Sequence, residues 1–140
     1  MANEPRLKVR LYNGWRQLES REGPVTYFRE GSSDSGALQF SVAQHRPGPV
    51  PGAGEEMLIA LCEKLTSKVR NRRDASSRSG KCEFGIFATV AVKGDSPAHF
   101  QAWVLSNHRE FILVTHTCEK QPDPQEIAEA NEIALMTGFR

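Results

Sequence analysis

Alternating apolar and polar residues predict β-strands in the N-terminal part of the chain. Over residues 6–11, for example, Leu7 and Val9 alternate with charged side chains. The same alternation runs through residues 37–44, and residues 24–30 are rich in β-branched and aromatic side chains. A period of two residues places every second side chain on the same face of a strand. We therefore expect three strands before residue 45.

A helical spacing replaces this alternation over residues 55–72. Two acidic residues open the segment and cations concentrate in its later half, as the helix dipole favours. The proline- and glycine-rich residues 47–54 before it predict a connection, because proline lacks a backbone donor. The serine-rich residues 74–80 after it predict a loop. The apolar positions of the helix recur at spacings of one, three and four and form one stripe: Met57, Leu58, Leu61, Cys62, Leu65 and Val69.

The C-terminal half predicts three more strands and a second helix. Residues 82–92, 98–105 and 110–118 are strand-like and separated by short turns, which indicates an antiparallel meander. Asp123 and Pro124 are typical of a helix start, and Glu126 is placed to complete a capping box. This helix runs to about Met136. The resulting order is βββα-βββα, an α+β class with an antiparallel sheet of about six strands.

The predicted register of the meander suggests how the layers pack. Pairing Val92 with His99, and Leu105 with Glu110, gives a sheet that is apolar on both faces. A sheet of this kind must be covered on both sides, so we expect an α/β/α sandwich. One face would carry Phe84, Ile86, Val90, Val92, Trp103, Leu105, Ile112 and Val114. The other would carry Phe87, Ala91, Phe100, Ala102, Val104, Phe111 and Leu113.

Length and composition limit the class of protein. The 140 residues are enough for one ordinary domain, so residues 1–140 are predicted to form a single domain. With 39% hydrophobic and 25% charged residues, the chain is neither fibrous nor generally disordered. A net charge of +1 does not by itself single out nucleic acid as a partner.

Targeting and redox features favour the cytoplasm. The longest notable uncharged apolar run covers nine residues, 84–92, whereas a membrane helix needs about 20. Charged residues near the N-terminus do not fit a secretory signal. Three widely spaced cysteines, Cys62, Cys82 and Cys118, are a poor disulfide framework. We therefore expect a cytoplasmic protein with no membrane partner.

The cations are concentrated in one part of the chain. Residues 64–81 carry seven cations and one acid, whereas residues 119–132 carry five acids and one cation. A solvated surface is the simplest interpretation, and a docking surface for an acidic protein is the functional one. Nucleic acid is disfavoured because no aromatic residues interleave with the cations. We call these seven residues the cationic strip: Lys64, Lys68, Arg70, Arg72, Arg73, Arg78 and Lys81.

A second candidate site brings together His99, His116 and Cys118. In the predicted register His99 lies across from His116, and Cys118 follows on the same face. Two imidazoles and a thiolate are ligands that zinc accepts, although no fourth ligand is evident unless Glu119 or a water serves. Polar residues are also common at the end of a sheet. A Cys118 nucleophile activated by His116 is disfavoured, because residues two apart on a strand lie too far apart for a reliable hydrogen bond.

Other catalytic or cofactor patterns are lacking. Residues 75–82 superficially resemble a phosphate-binding loop, but Ala75 replaces the required glycine and Cys82 replaces the magnesium-binding hydroxyl residue. No nucleophile elbow or linked carboxylate pair is present in the sequence. The interpretation leans against an enzyme and predicts no cofactor.

Three segments carry a family resemblance. They are residues 103–107 with 111–118, the helix over 123–140, and the helix start at residues 51–61. Together they resemble small uncharacterised bacterial domains of the fold family that includes the photosystem PsbP proteins and a factor binding the Ran GTPase. This resemblance implies an α/β/α fold that acts mostly through protein binding, with immunity or secretion-associated roles suspected for some bacterial look-alikes. The alternative is a small-ligand or metal-assisted enzyme built on His99, His116 and Cys118.

Overall fold

The computed structural model describes residues 7–18, 25–30, 35–44 and 54–139. In these residues the chain forms nine strands and two helices. The helices are α1 (Glu55–Thr66) and α2 (Pro124–Leu135). The strands are β1 (Leu7–Lys8), β2 (Trp15–Leu18), β3 (Val25–Arg29), β4 (Ala37–Gln44), β5 (Arg73–Lys81), β6 (Ile86–Lys93), β7 (His99–Ser106), β8 (Glu110–Cys118) and β9 (Gly138–Phe139).

Seven strands form one antiparallel sheet in the order β2-β3-β4-β8-β7-β6-β5. A separate two-stranded sheet pairs β1 with β9. The α+β class and the antiparallel meander β6-β7-β8 are therefore confirmed. The expected six strands and the βββα-βββα order are wrong, because β2, β5 and β9 were not predicted and the first predicted strand lies outside the main sheet.

The two faces of the main sheet are both apolar, and each is covered by one helix. Alternate residues of β7 illustrate this: Ala102 and Val104 pack with α1, whereas Trp103 and Leu105 pack with α2. Helix α1 packs on one face through Leu58 and Cys62 of its apolar stripe. Helix α2 packs on the opposite face through Ala130, Ile133 and Ala134. The layers are therefore α/β/α, and we refer to the α1 face and the α2 face of the sheet.

The strand register differs from the predicted one. Val92 pairs with Phe100 rather than His99, a slip of one residue. This slip moves Ile86, Val90 and Val92 to the α1 face and Phe87 to the α2 face. In the second hairpin Leu105 pairs with Ile112, a slip of two residues that leaves the faces unchanged. The conclusion that both faces are covered survives, because β6 is apolar on both sides.

The N-terminal strand is shorter than its alternation suggests. Only Leu7–Lys8 form a strand, and the chain then turns through Gly14, whose φ of +96° suits glycine. The strand β2 that follows was missed. Its first residue, Trp15, is buried while the other three are exposed, so the segment shows no alternation.

Helix α1 ends six residues earlier than predicted. The apolar stripe extends to Val69, which is buried although it lies beyond the helix. The chain leaves the helix through a turn in which Asn71 has a φ of +54°, and this turn directs the chain into β5. Neither 12-residue helix of the described part is long and apolar enough to cross a membrane.

The serine-rich segment predicted as a loop is the edge strand β5. It pairs with β6 over Ser76 to Lys81, after an irregularity near Asp74. Eight of its nine residues are exposed and the other is half-buried, so it has no apolar periodicity to reveal a strand. Backbone pairing alone therefore defines this element.

The connection predicted over the proline- and glycine-rich residues 47–54 lies outside the described residues except for Gly54.

Leucine-to-alanine substitutions test the two buried faces. Leu58 on the α1 face and Leu105 on the α2 face are fully buried, whereas Leu18 is 53% exposed. Leu58→Ala and Leu105→Ala should each lower the free energy of unfolding by about 2–5 kcal/mol, measured by urea denaturation. Leu18→Ala should change it by less than about 0.5 kcal/mol. An effect at only one buried position would contradict a core on both faces.

Candidate functional site

A group of polar side chains lies buried on the α2 face at one end of the central strands. His99 begins β7, His116 and Cys118 end β8, and Glu126 lies in the first turn of α2. Their exposed fractions are between 0% and 5%. We call these four residues the buried polar cluster. It contains all three residues of the predicted metal site and adds Glu126, which was not predicted to belong there.

The Glu126 carboxylate is the centre of this cluster. Its Oε2 accepts a hydrogen bond from the Gly36 backbone N–H at 2.9 Å and lies 2.8 Å from His116 Nε2. Because an ionised carboxylate can only accept, His116 must carry its hydrogen on Nε2. Gly36 precedes β4 and His116 belongs to β8, so one oxygen joins two neighbouring strands to α2.

The sequence places these groups together through two periodicities. Ile112, Val114, His116 and Cys118 alternate along β8 and all point to the α2 face. Glu126 lies four residues before Ala130 and seven before Ile133, on the buried stripe of α2. A carboxylate on an otherwise apolar stripe was the signal that could have identified this residue.

The expected capping box at the start of α2 is only half present. Asp123 caps the helix, since its side chain accepts a hydrogen bond from the Gln125 N–H at 2.9 Å. Glu126 was expected to reach back to the helix start. Among the described residues its carboxylate instead contacts His116 and Gly36, so that part of the prediction is wrong. The burial of Glu126 beneath the helix explains the difference.

Hydrogen bonds keep the Glu126 carboxylate ionised in the core. Burial alone would raise the pKa of Glu126. The hydrogen bonds from His116 and Gly36, together with electrostatic interactions with His116 and Arg29, outweigh burial and hold the pKa below its usual value. The cluster therefore contains a stabilised negative charge.

Further polar contacts attach α2 and its N-cap to strands β2 and β3. Glu129 Oε1 accepts a hydrogen bond from Trp15 Nε1 at 2.8 Å and lies 3.3 Å from Arg29 Nε. The Arg29 guanidinium also lies 3.7 Å from the Asp123 carboxylate. The Trp15 ring stands 6.5 Å from the His116 ring. Strands β2 and β3 thus attach to the first half of α2, directly above the cluster.

Gly36 is required by close approach. A Cβ atom at this position would overlap Cys118 Sγ and lie 2.7 Å from the Thr117 carbonyl oxygen. It would also lie 3.0 Å from His116 Nε2. Only a residue without a side chain lets the backbone N–H of this segment reach the Glu126 carboxylate.

His99 completes the cluster through a register that differs from the predicted one. It pairs with Cys118, not with His116. The His116 ring is nevertheless close, at a centroid distance of 5.6 Å and an interplanar angle of 70°. Burial, and secondarily an electrostatic interaction with His116, lowers the pKa of His99 to about 4, so this imidazole is neutral at neutral pH. Its Nε2 is buried and has no hydrogen-bond partner in the described part of the chain.

Cys118 does not have the geometry of a catalytic thiol. In a catalytic triad the nucleophile and the acid contact opposite nitrogens of the imidazole. Cys118 Sγ lies 3.4 Å from His116 Nε2, so the expectation that the two residues are too far apart for a hydrogen bond is wrong. This is, however, the same nitrogen that contacts Glu126, and Nδ1 is 4.0 Å from the sulfur. Burial and the Glu126 charge raise the pKa of the Cys118 thiol to about 12. These features describe a protonated thiol sealed in the core.

The structure divides the cationic strip between two sides of the β5 edge. All seven residues are exposed. Lys64 and Lys68 lie in or just after α1, and Lys81 pairs with Ile86 and so points to the α1 face. Arg78 points to the other side, where its Nη2 lies 3.3 Å from Asn131 Oδ1 of α2. Arg73 pairs with Asp95 at 3.4 Å, which offsets part of its charge.

Comparison with known proteins finds solved structures of similar fold but no relative by sequence. No protein-family model and no curated protein matches the sequence. Among solved structures, LpqN of Mycobacterium tuberculosis, described as involved in cell envelope biogenesis, is 12% identical, with a TM-score of 0.65. That match covers 97% of this chain and 84% of LpqN. Cyanobacterial PsbP (CyanoP) of Synechocystis is 11% identical, with a TM-score of 0.59 over 99% of this chain and 95% of CyanoP.

The fold of this chain is similar to the folds of LpqN and CyanoP. A structure from Bacteroides thetaiotaomicron is also similar, with 13% identity, a TM-score of 0.51 and coverage of 96% of this chain and 45% of that one. The resemblance noted in the sequence is therefore confirmed at the level of fold. Because the identities are so low, the PsbP-like fold does not carry a function to this chain.

Substitution of Gly36 tests the close approach. Gly36→Ala should lower the free energy of unfolding by about 1–3 kcal/mol, because the new methyl group overlaps Cys118 and the β8 backbone. Gly138→Ala is the matched control, since a Cβ there meets nothing within 4 Å. Urea denaturation measures both. Equal effects at the two glycines would contradict the tight packing at Gly36.

Thiol alkylation tests the burial of the cysteines. Burial raises the pKa of Cys62 to about 12, as it does for Cys118, whereas Cys82 is half-buried and its pKa is raised less. Because the thiolate is the reactive form, iodoacetamide should alkylate Cys82 first in the native, metal-free protein. Peptide mass spectrometry locates the label, and protein in urea should react at all three sites. Native labelling of Cys118 as fast as Cys82 would contradict a sealed cluster.

Proposed function

We propose that this domain is non-catalytic and binds an acidic protein partner through the cationic strip. The observation that carries the proposal is the position of the strip: its seven cations are exposed around the edge strand β5 and the end of α1. Such a surface attracts an acidic partner over distance and orients it on approach. The four residues of the buried polar cluster, by contrast, lie in the core.

The character of β5 favours recognition through side chains. It is an edge strand, and within the described ranges only β6 pairs with it. Exposed charges and the irregularity near Asp74 discourage indiscriminate pairing with another strand. We therefore expect ion pairs from the strip, rather than an added β-strand, to provide specificity.

A finer proposal concerns the biological setting. The resemblance to bacterial look-alikes suggests an immunity or secretion-associated role, and one structural neighbour is described as involved in cell envelope biogenesis. The free thiols of Cys62, Cys82 and Cys118 are compatible with a reducing cytoplasm. A toxin encoded beside this gene, and bound by this domain when the two are co-expressed, would support immunity. Failure of such a pair to associate would count against it.

Charge reversal tests the binding surface. The triple variant Arg70→Glu, Arg72→Glu, Arg73→Glu should lose a stoichiometric acidic partner that the wild type captures from native lysate. With the purified partner, surface plasmon resonance should give an association rate at least about tenfold lower and a weaker salt dependence. The free energy of unfolding should change little, because exposed charges contribute little to stability.

A matched variant separates local from general charge effects. Lys8, Arg16 and Arg109 are exposed cations outside the strip, and their reversal to glutamate changes the net charge by the same amount. This control should retain binding. Unchanged partner binding in the strip variant, or equal losses in both variants, would overturn the proposal. Binding to DNA or RNA that is lost only in the strip variant would replace the acidic protein with nucleic acid.

A further inference from the structure

The donor atoms of the buried polar cluster have the spacing of a metal site. His116, Cys118 and Glu126 each offer one ligand atom, and these atoms lie within 4.8 Å of one another. The separations are 2.8 Å from Nε2 to Oε2, 3.4 Å from Nε2 to Sγ, and 3.9 Å from Sγ to Oε2. Tetrahedral zinc, with bonds of about 2.0–2.3 Å, places neighbouring donors about 3.3–3.6 Å apart. Shifts of about half an ångström would bring these three donors to tetrahedral spacing.

His99 provides a second, independent observation. Its side chain is 95% buried, being 5% exposed, and its Nε2 has no hydrogen-bond partner among the residues that the structure describes. Buried polar atoms are normally satisfied, so an orphaned imidazole nitrogen calls for an explanation. His99 lies directly across from Cys118 on the same sheet face, and its ring centroid is 5.6 Å from that of His116. Its nitrogens lie outside the group of donor atoms that are within 4.8 Å of one another.

We propose that His116, Cys118 and Glu126 form a structural Zn²⁺ site, which the neighbouring His99 completes as the fourth ligand by moving its ring towards the other three. Two imidazoles, one thiolate and one carboxylate match the ligand preference of zinc, whereas magnesium and calcium prefer oxygen ligands alone. Four protein ligands in a sealed core leave no open position for a substrate. The site therefore stabilises the packing of β7, β8 and α2, and it is independent of the cationic strip.

Zinc binding requires two proton rearrangements. Cys118 releases its thiol proton to solvent, since the thiolate is the ligand. His116 presents its Nε2 lone pair to the metal, so its hydrogen moves to Nδ1. Glu126 still accepts the hydrogen bond from the Gly36 N–H, and this hydrogen bond holds the carboxylate in the orientation needed to bind the metal.

Metal analysis tests this site. Protein purified without a histidine tag is stripped with a chelator, incubated with Zn²⁺, freed of excess metal by gel filtration and measured by mass spectrometry for zinc. The wild type should retain about one equivalent and gain thermal stability on zinc binding. Cys118→Ser should retain less than about a tenth of an equivalent, and His99→Gln should bind zinc at least about tenfold more weakly.

Matched controls identify adventitious binding. Cys62→Ser removes a buried cysteine from the α1 face, and His108→Gln removes an exposed histidine. Both should bind zinc as the wild type does. Retention of less than about a tenth of an equivalent by the wild type, or equal retention by Cys118→Ser, overturns the proposal.

A cobalt spectrum keeps the proposal testable if a variant fails to fold. Co²⁺ in the wild type should show the thiolate-to-metal charge-transfer band and the intense visible bands of a tetrahedral site. Circular dichroism establishes that each variant is folded before its metal content is compared. A wild-type cobalt spectrum without thiolate charge transfer overturns the site whatever the variants do. The outcome of the metal experiments does not decide whether the cationic strip binds a partner, because partner binding is measured separately.

Discussion

The buried Glu126 carboxylate is the constraint on which this end of the fold depends. An ionised carboxylate cannot stay in a core without donors, because the loss of hydration is costly. Its donors come from the segment before β4 and from β8, so satisfying one charge fixes two adjacent strands beneath α2. The absence of a side chain at Gly36 is part of the same constraint. Further out, Glu129 ties β2 and β3 to the same helix.

The two candidate sites of this protein differ in exposure, because the polar cluster is buried and the cationic strip is exposed. Two imidazoles, a thiol and a carboxylate, which are group types common in catalytic sites, are buried beneath α2, where they contribute to packing and, in our proposal, bind a metal ion. The exposed cations of the strip lie around the edge strand β5 and the end of α1, and β6 separates β5 from the strands of the cluster. Because the two regions lie on different elements, the proposed metal site and the proposed docking surface can be tested separately.

Strands could be predicted from the sequence where burial of one face produces an alternation of apolar and polar residues. Strands β4 and β8 match their predicted bounds because alternate residues face a core. Strand β5 escaped prediction because an edge strand with exposed side chains has no apolar periodicity, and its residues pair only through the backbone. The extent of α1 was overestimated because Val69 continues the apolar stripe after the backbone has left the helix.

The sequence by itself determined the α+β class, the meander, the two apolar sheet faces and the proximity of His99, His116 and Cys118. These depend on local periodicity and short turns, which neighbouring residues encode. Only the tertiary structure decided the register, the strand order and the inclusion of Glu126 and Gly36. Register shifts by one or two residues leave local patterns almost unchanged, whereas they change which side chains meet. The partner of a buried charge is likewise set by packing between distant segments, since Gly36 and Glu126 are 90 residues apart.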